Sequence, residues 1–302
     1  MVDSEKSKKF GASSTAEEVT AGVDLSGKNW LVTGCRSGLG RETLRVLSLR
    51  GAHVFAATRR QAQAEQCIDA LGVQATALGC DLSDLSAVQA LTRSLKEKGT
   101  VLDGIITNAG VMAIPTLEQK NGIEMQLYTN HIGHFLLVTE LLECLSAKAR
   151  VVVLSSGAYR MAGDKGLDLQ NLSGEQDYDP WRMYGRSKLA NLIFAKSLAR
   201  RFSASGSQQL ANAVHPGVIE TELARHVPQK EAMFEKMRAQ VKTVAQGAAT
   251  QCYVATRPEL AKVSGRYFSD CQAQTTTAIT EEEPLAEELW ARSEEIVARY
   301  RS

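Results

Sequence analysis

The stretch Trp30-Leu31-Val32-Thr33-Gly34-Cys35-Arg36-Ser37-Gly38-Leu39-Gly40 decides how the rest of this chain is read. A β-prone run leads into three spaced glycines, and a helical pattern, Arg41 to Leu49, follows at once. In that context the glycines have separable tasks. Gly34 makes the tight turn, Gly38 lets backbone approach a pyrophosphate, and Gly40 lets the helix pack closely on the strand. The helix start at Ser37 and Leu39 then offers free N–H groups and a positive dipole end to phosphate.

Working outward, further β-prone runs stand at His53 to Ala56, Gln74 to Leu78, Ile105-Ile106, Val151 to Leu154 and Ala211 to Val214. Helical patterns separate them at Leu85 to Leu95, Leu136 to Leu145 and Lys188 to Phe202. Parallel connections need crossovers, and both faces of a parallel sheet must be covered. The alternation therefore predicts an α/β doubly wound fold, with about seven parallel strands and helices on both faces. Ligands in such sheets bind beyond the carboxyl ends of the strands, where the strand order reverses. Residues 1–27 are polar and read as an extension, with a capping box expected at Ser14-Thr15-Ala16-Glu17. Residues 28–302 read as one catalytic domain, with a substrate loop at about 217–242, because no Pro/Gly/Ser linker divides them.

Composition excludes several functions. With 35 Lys+Arg against 34 Asp+Glu, the net charge of +1 provides no broad field for nucleic acid or an anionic membrane. The longest apolar runs fall far short of the roughly 20 residues a membrane span needs. The amino terminus has no apolar segment of the secretory kind, so a cytoplasmic location is expected. Six scattered cysteines form no CxxC pair and are read as reduced thiols. His131 and His134 lack a carboxylate companion, so no metal is expected.

The end of the second strand bears on the nucleotide. A free ribose 2′-hydroxyl is matched by Asp or Glu there, and a 2′-phosphate by Arg. This strand ends Ala57-Thr58-Arg59-Arg60, with Arg36 in the glycine-rich loop nearby. NADP(H) is therefore preferred, with NAD(H) as the alternative. Farther on, Tyr184 and Lys188 stand four residues apart on a helical run and share one face. An ammonium near a phenol favours the phenolate, and such a pair can serve as a general acid/base.

Five ordered motifs, the glycine-rich turn at 33–40, Asn108-Ala109-Gly110, Ser155-Ser156, Tyr184-x-x-x-Lys188 and Pro216-Gly217, together resemble the short-chain dehydrogenase/reductase family over about residues 28–270. The resemblance implies a Rossmann fold. It also implies that Tyr184 exchanges a proton with the substrate oxygen, while Lys188 lowers the phenol pKa and holds the nicotinamide ribose. Ser156 would hydrogen-bond the same oxygen, and Asn130 would help hold a water relay behind the lysine. Asp81 and Leu82 would contact adenine, and Asn108, Ala109 and Gly110 would line the ribose side. Val218 and Thr221, after Pro216 and Gly217, would meet the carboxamide. The segment between Ser156 and Tyr184 is longer than the family's common form, which leaves both Ser155 and Ser156 as candidates to face substrate. That insertion, with Phe10 to Ala16 and His215-Pro216-Gly217-Val218, resembles the branch of retinol dehydrogenases, WW-domain oxidoreductases, protochlorophyllide reductases and a chloroplast-envelope dehydrogenase.

Val111, Met112, Ile114, Met161, Trp181, Met183, Leu223, Met233, Phe234 and Met237 are candidates to wall a substrate pocket. They favour an apolar carbonyl or alcohol as the small-molecule partner. An NADP(H)-binding sensor or scaffold with little turnover is the competing reading. The amphipathic run from Pro284 to Tyr300 is expected to cover its own domain or a second subunit, in a homodimer or homotetramer.

Overall fold

In the first strand, β1 (Asn29–Thr33), every residue after Asn29 is buried, as a strand covered on both faces requires. A computed structural model describes residues 10–301. In chain order β1 is followed by β2 (His53–Thr58), β3 (Ala75–Gly79), β4 (Leu102–Thr107), β5 (Leu145–Leu154), β6 (Leu210–His215), β7 (Tyr267–Ser269) and β8 (Gln272–Gln274). The sheet order is β3-β2-β1-β4-β5-β6-β7-β8. The first seven strands run parallel; β8 pairs antiparallel with β7. The sheet therefore has eight strands rather than about seven. The extra one arises because Asp270 and Cys271, at φ of 53° and 59°, turn the chain back in a tight hairpin.

Alternate residues of the strands feed two cores. Leu31, Ile105, Val151, Val153 and Ala213 face one cluster, built with α4 (Leu85–Glu97), α5 (Gly133–Glu140), α6 (Pro180–Ala204) and α9 (Glu283–Val297). Trp30, Val32, Ala56, Val152 and Val214 face the other, built with α2 (Gly38–Leu49), α3 (Gln61–Leu71) and α8 (Ala249–Thr256). Cross-strand pairing matters locally: the Trp30 ring lies over Gly104, where a Cβ would stand only 2.1 Å from it.

Two local expectations shift. The helix expected from Leu136 to Leu145 stops at Glu140, and Leu145 already begins β5. The capping box lies one residue later, on Thr15 and Glu18, opening α1 (Ala16–Val19). Ala16 and Val19 are fully buried against Val46, Ala248, Ala249 and Cys252, and Phe10 stacks edge-on against Tyr253 at 5.8 Å. C-terminal α9 lies on α6, with Arg201 over the Trp290 ring at 3.7 Å. The strand order reverses between β1 and β4, so the loops leaving those strands diverge and open a crevice.

Candidate active site

Thr33, at the end of β1, pins the two diverging loops together. Its carbonyl accepts from Asn108 Nδ2 at 2.8 Å, and its Oγ1 accepts from the Ala109 N–H at 3.0 Å. Gly34 sits at φ +77°, where a Cβ would come within 2.9 Å of Ala109 Cα; only glycine fits that approach. Ser37 caps α2 without a side-chain hydrogen bond, and no acidic residue occupies the first turn. The N–H groups of that turn are thus presented to an anion. Arg36 meets Glu222 at 3.4 Å and Arg59 meets Asp81 at 3.8 Å, all at the mouth of the same crevice.

At the other end, α6 begins at Pro180, with Asp179 accepting from the Arg182 N–H at 2.7 Å. Helical geometry then stacks Tyr184 and Lys188 on one face, each 4% exposed. Lys188 Nζ lies 5.7 Å from the centre of the Tyr184 ring and donates to the Leu154 carbonyl at 3.1 Å. The two serines divide their work. Ser155 Oγ donates to the Lys188 carbonyl at 2.7 Å, locking β5 to α6, whereas Ser156 is hydrogen-bonded to the Tyr184 phenol. Ser156 Oγ also accepts from the Ala158 N–H at 3.2 Å. His215 Nδ1 accepts from the Gly157 N–H at 3.0 Å and so steadies the turn that carries Ser156.

The electrostatics differ from the expectation. Burial pushes the Tyr184 phenol up to about 12, and the Ser156 hydrogen bond opposes that only in part. Burial also pulls Lys188 down to about 8. In the protein alone the lysine therefore does not draw the phenol into the neutral range, because desolvation penalises both charged forms. With its pKa raised, the Tyr184 phenol carries its proton at neutral pH.

A single cavity of about 630 Å³ joins the two ends. Every site residue singled out in the sequence lines it except Gly40 and Asn130. A Cβ on Gly40 would lie 2.2 Å from the Gly34 carbonyl oxygen, so this glycine serves packing rather than contact with a ligand. Asn130 sits in a π-helical turn, Tyr128–Ile132, with its side chain engaged by protein. Its Oδ1 accepts from the Val111 N–H at 2.8 Å, and its Nδ2 donates to the Val111 carbonyl and Ser187 Oγ, each at 2.9 Å. It clamps the loop after β4 beside Gly110 and Lys188. Of the apolar candidates, Ile114 and Met183 turn into the interior and the others line the cavity. His215, Gln63, Glu222 and Arg225 line it too and were not singled out. Position just after a strand was the available signal for His215; Arg225 offered none, because a loop sequence does not reveal what it folds against.

The family model for short chain dehydrogenase matches residues 28–167. The short-chain dehydrogenase TIC 32 A, chloroplastic, of Brassica napus is 36% identical over 301 residues, covering 95% of this chain and 94% of that protein. The chain belongs to the short-chain dehydrogenase family. Retinol dehydrogenase 14 of Homo sapiens is another relative, 37% identical over 297 residues, covering 90% of this chain and 87% of that one. A solved short chain dehydrogenase from Burkholderia cenocepacia, in complex with NADP, superimposes with a TM-score of 0.63 at 25% identity, over 81% of this chain and 96% of that one. Short-chain dehydrogenases bind nicotinamide cofactors, and the residues present here fit one. The Cβ-intolerant cradle at Gly34 and the open helix start at Ser37 suit a dinucleotide pyrophosphate. Among the described residues no helix is long and apolar enough to cross a membrane, and no cluster of metal-ligating side chains occurs.

Proposed function

We propose that this short-chain dehydrogenase is an NADP(H)-dependent oxidoreductase that interconverts an aldehyde or ketone with an alcohol on a mostly apolar small molecule. One observation carries the proposal. Ser156, Tyr184 and Lys188 open onto one cavity whose far end holds Arg36 and Arg59 and whose remaining wall includes Met112, Trp181, Met233 and Phe234. When bound, the nicotinamide ring supplies or accepts the hydride.

The chain's own groups do the rest. Tyr184 Oη transfers the proton to or from the substrate oxygen. Ser156 Oγ donates a hydrogen bond to that oxygen and steadies the charge that grows there. Lys188 places a cation beside the phenol ring, and Asn130 fixes the loop after β4 next to it. Arg36 and Arg59 bind the 2′-phosphate, which is the basis for preferring NADP(H) over NAD(H). Flexible methionines suit an apolar, adaptable substrate side, and the name of the human relative, retinol dehydrogenase 14, agrees with that class. All six cysteines are free and buried, which supports work in a reducing compartment such as the cytoplasm.

The test is a panel of apolar aldehydes, ketones and alcohols assayed with NADPH, NADP, NADH and NAD, followed by the absorbance of the reduced ring. Turnover of apolar carbonyls with NADPH well ahead of NADH is expected. Tight cofactor binding without turnover of any carbonyl or alcohol would overturn the enzyme reading and favour a sensor. Because Tyr184 is in its acid form at neutral pH, carbonyl reduction should stay flat from pH 6 to 7 and fall toward pH 8 and above as Lys188, lowered to about 8, loses its charge, and alcohol oxidation should rise on the alkaline side.

A further inference from the structure

Three separate elements bring arginines to the mouth of the cavity. Arg36 comes from the glycine-rich loop, Arg59 from the end of β2, and Arg225 from the 3-10 turn Glu222–His226 beyond β6. Each lines the same cavity. Two of them have carboxylate partners at loose distances, Arg36 with Glu222 at 3.4 Å and Arg59 with Asp81 at 3.8 Å. Among the described residues Arg225 has no ion pair; its Nη1 donates only to the Glu222 main-chain carbonyl, at 3.1 Å. The guanidinium is held below its usual pKa, first by partial desolvation and then by the Arg59 and Arg36 charges. Three cations against two carboxylates leave one positive charge unanswered, and converging like charges cost free energy that an anion between them would relieve.

The same turn belongs to the stretch that carries Met233, Phe234 and Met237 into the apolar part of the cavity. That stretch already touches the phosphate cradle, since a Cβ on Gly38 would stand 3.2 Å from Thr221 Cγ2. A ligand gripped by Arg225 therefore acts on the substrate wall as well as on the cofactor.

We infer that Arg225 is a specificity-determining residue for the cofactor, a third guanidinium on the 2′-phosphate supplied by the substrate loop, so that the phosphate itself draws residues 217–242 onto the cavity. This rests on the NADP(H) reading above and adds a residue and a coupling to it. A guanidinium fork on a phosphate dianion is a strong charge-assisted contact, and an exposed one is expected to give about a tenfold effect.

The test measures dissociation constants of NADPH, NADH, 2′,5′-ADP and AMP for the wild type, R59Q and R225Q. Tryptic cleavage of the loop, at Lys230, Lys236 and Arg238, is followed with and without 2′,5′-ADP. Arg225 is exposed, so R225Q is expected to fold, and a melting curve checks it. The expected result is about a tenfold loss of NADPH and 2′,5′-ADP affinity in R225Q, unchanged NADH and AMP binding, and loss of the slowing of cleavage by 2′,5′-ADP. A wild type with no preference for NADPH or 2′,5′-ADP overturns the NADP(H) reading itself. A wild type with that preference, weakened by R59Q and untouched by R225Q, overturns only the role of Arg225. Equal protection from trypsin in wild type and R225Q overturns the coupling to the loop.

Discussion

At one end of the cavity Tyr184 and Lys188 are each 4% exposed, whereas at the other the Arg36 and Glu222 side chains are 57% and 64% exposed. The buried pair has its proton affinities displaced by desolvation, to about 12 and about 8. The exposed arginines are countered by carboxylates at 3.4 Å and 3.8 Å. The proposed chemistry falls where water is excluded, because there a hydrogen bond or a charge alters a pKa strongly. The proposed phosphate recognition falls where water remains, because a cation held ready for a dianion is cheap to keep only if it stays solvated. The buried end should thus answer to pH and to single atoms, and the exposed end to salt.

The largest effect tests the buried end. Tyr184→Phe keeps the ring and its edge contact with Trp181 but removes the transferable proton. Turnover is expected to fall by about a thousandfold or more, with NADPH affinity unchanged in fluorescence titration. Normal turnover would sink the assignment of Tyr184. Next comes acid stability. Burial depresses His131 to about 3, His134 to about 4 and His215 to about 4. A depressed histidine favours the folded state fully above its unfolded pKa of about 6.5, and that stability is lost as pH falls toward the folded value. Melting temperature should therefore be level above pH 7 and fall steadily from pH 6.5 toward 4, a loss of a few kcal/mol by about pH 5. A flat profile across that window would show that these rings do not stay neutral in the fold.

Smaller effects belong to the exposed end. Raising salt from about 0.05 M to about 0.5 M should weaken NADPH binding several-fold more than NADH binding, since solvated guanidiniums are screened. Equal salt sensitivity of the two would remove the phosphate from this end. Glu222→Gln should change stability by less than about 0.5 kcal/mol in denaturant melts, as expected for an exposed ion pair. A larger loss would mean that the Arg36 contact holds the loop in place.

Much of the framework was legible in the sequence because it rests on local rules. The alternation of β1 side chains between the two faces of the sheet, the turn at Gly34, and the four-residue step from Tyr184 to Lys188 each follow from backbone geometry over a few residues. Other features depended on distant partners. Asn130 reads from the family pattern as support for a relay behind Lys188; that its amide engages Val111 and Ser187 is decided only by the fold. Leu145 read as helix and is strand, since pairing with Leu102 of β4 outweighed the apolar run before it. Which of Ser155 and Ser156, just past the end of β5, faces the site was decided only when β5 and α6 came together and Ser155 was taken up by the Lys188 carbonyl.

Chain order and residue type alone were enough for the doubly wound architecture and the family, since turns, caps and periodicity are short-range physics. Folding in three dimensions decided the protonation of the site's groups and the company they keep. Desolvation of Tyr184 and Lys188, and the placing of Arg225 on the same cavity as Arg36 and Arg59, depend on segments far apart in the chain folding together. No local pattern encodes which surfaces such segments will share.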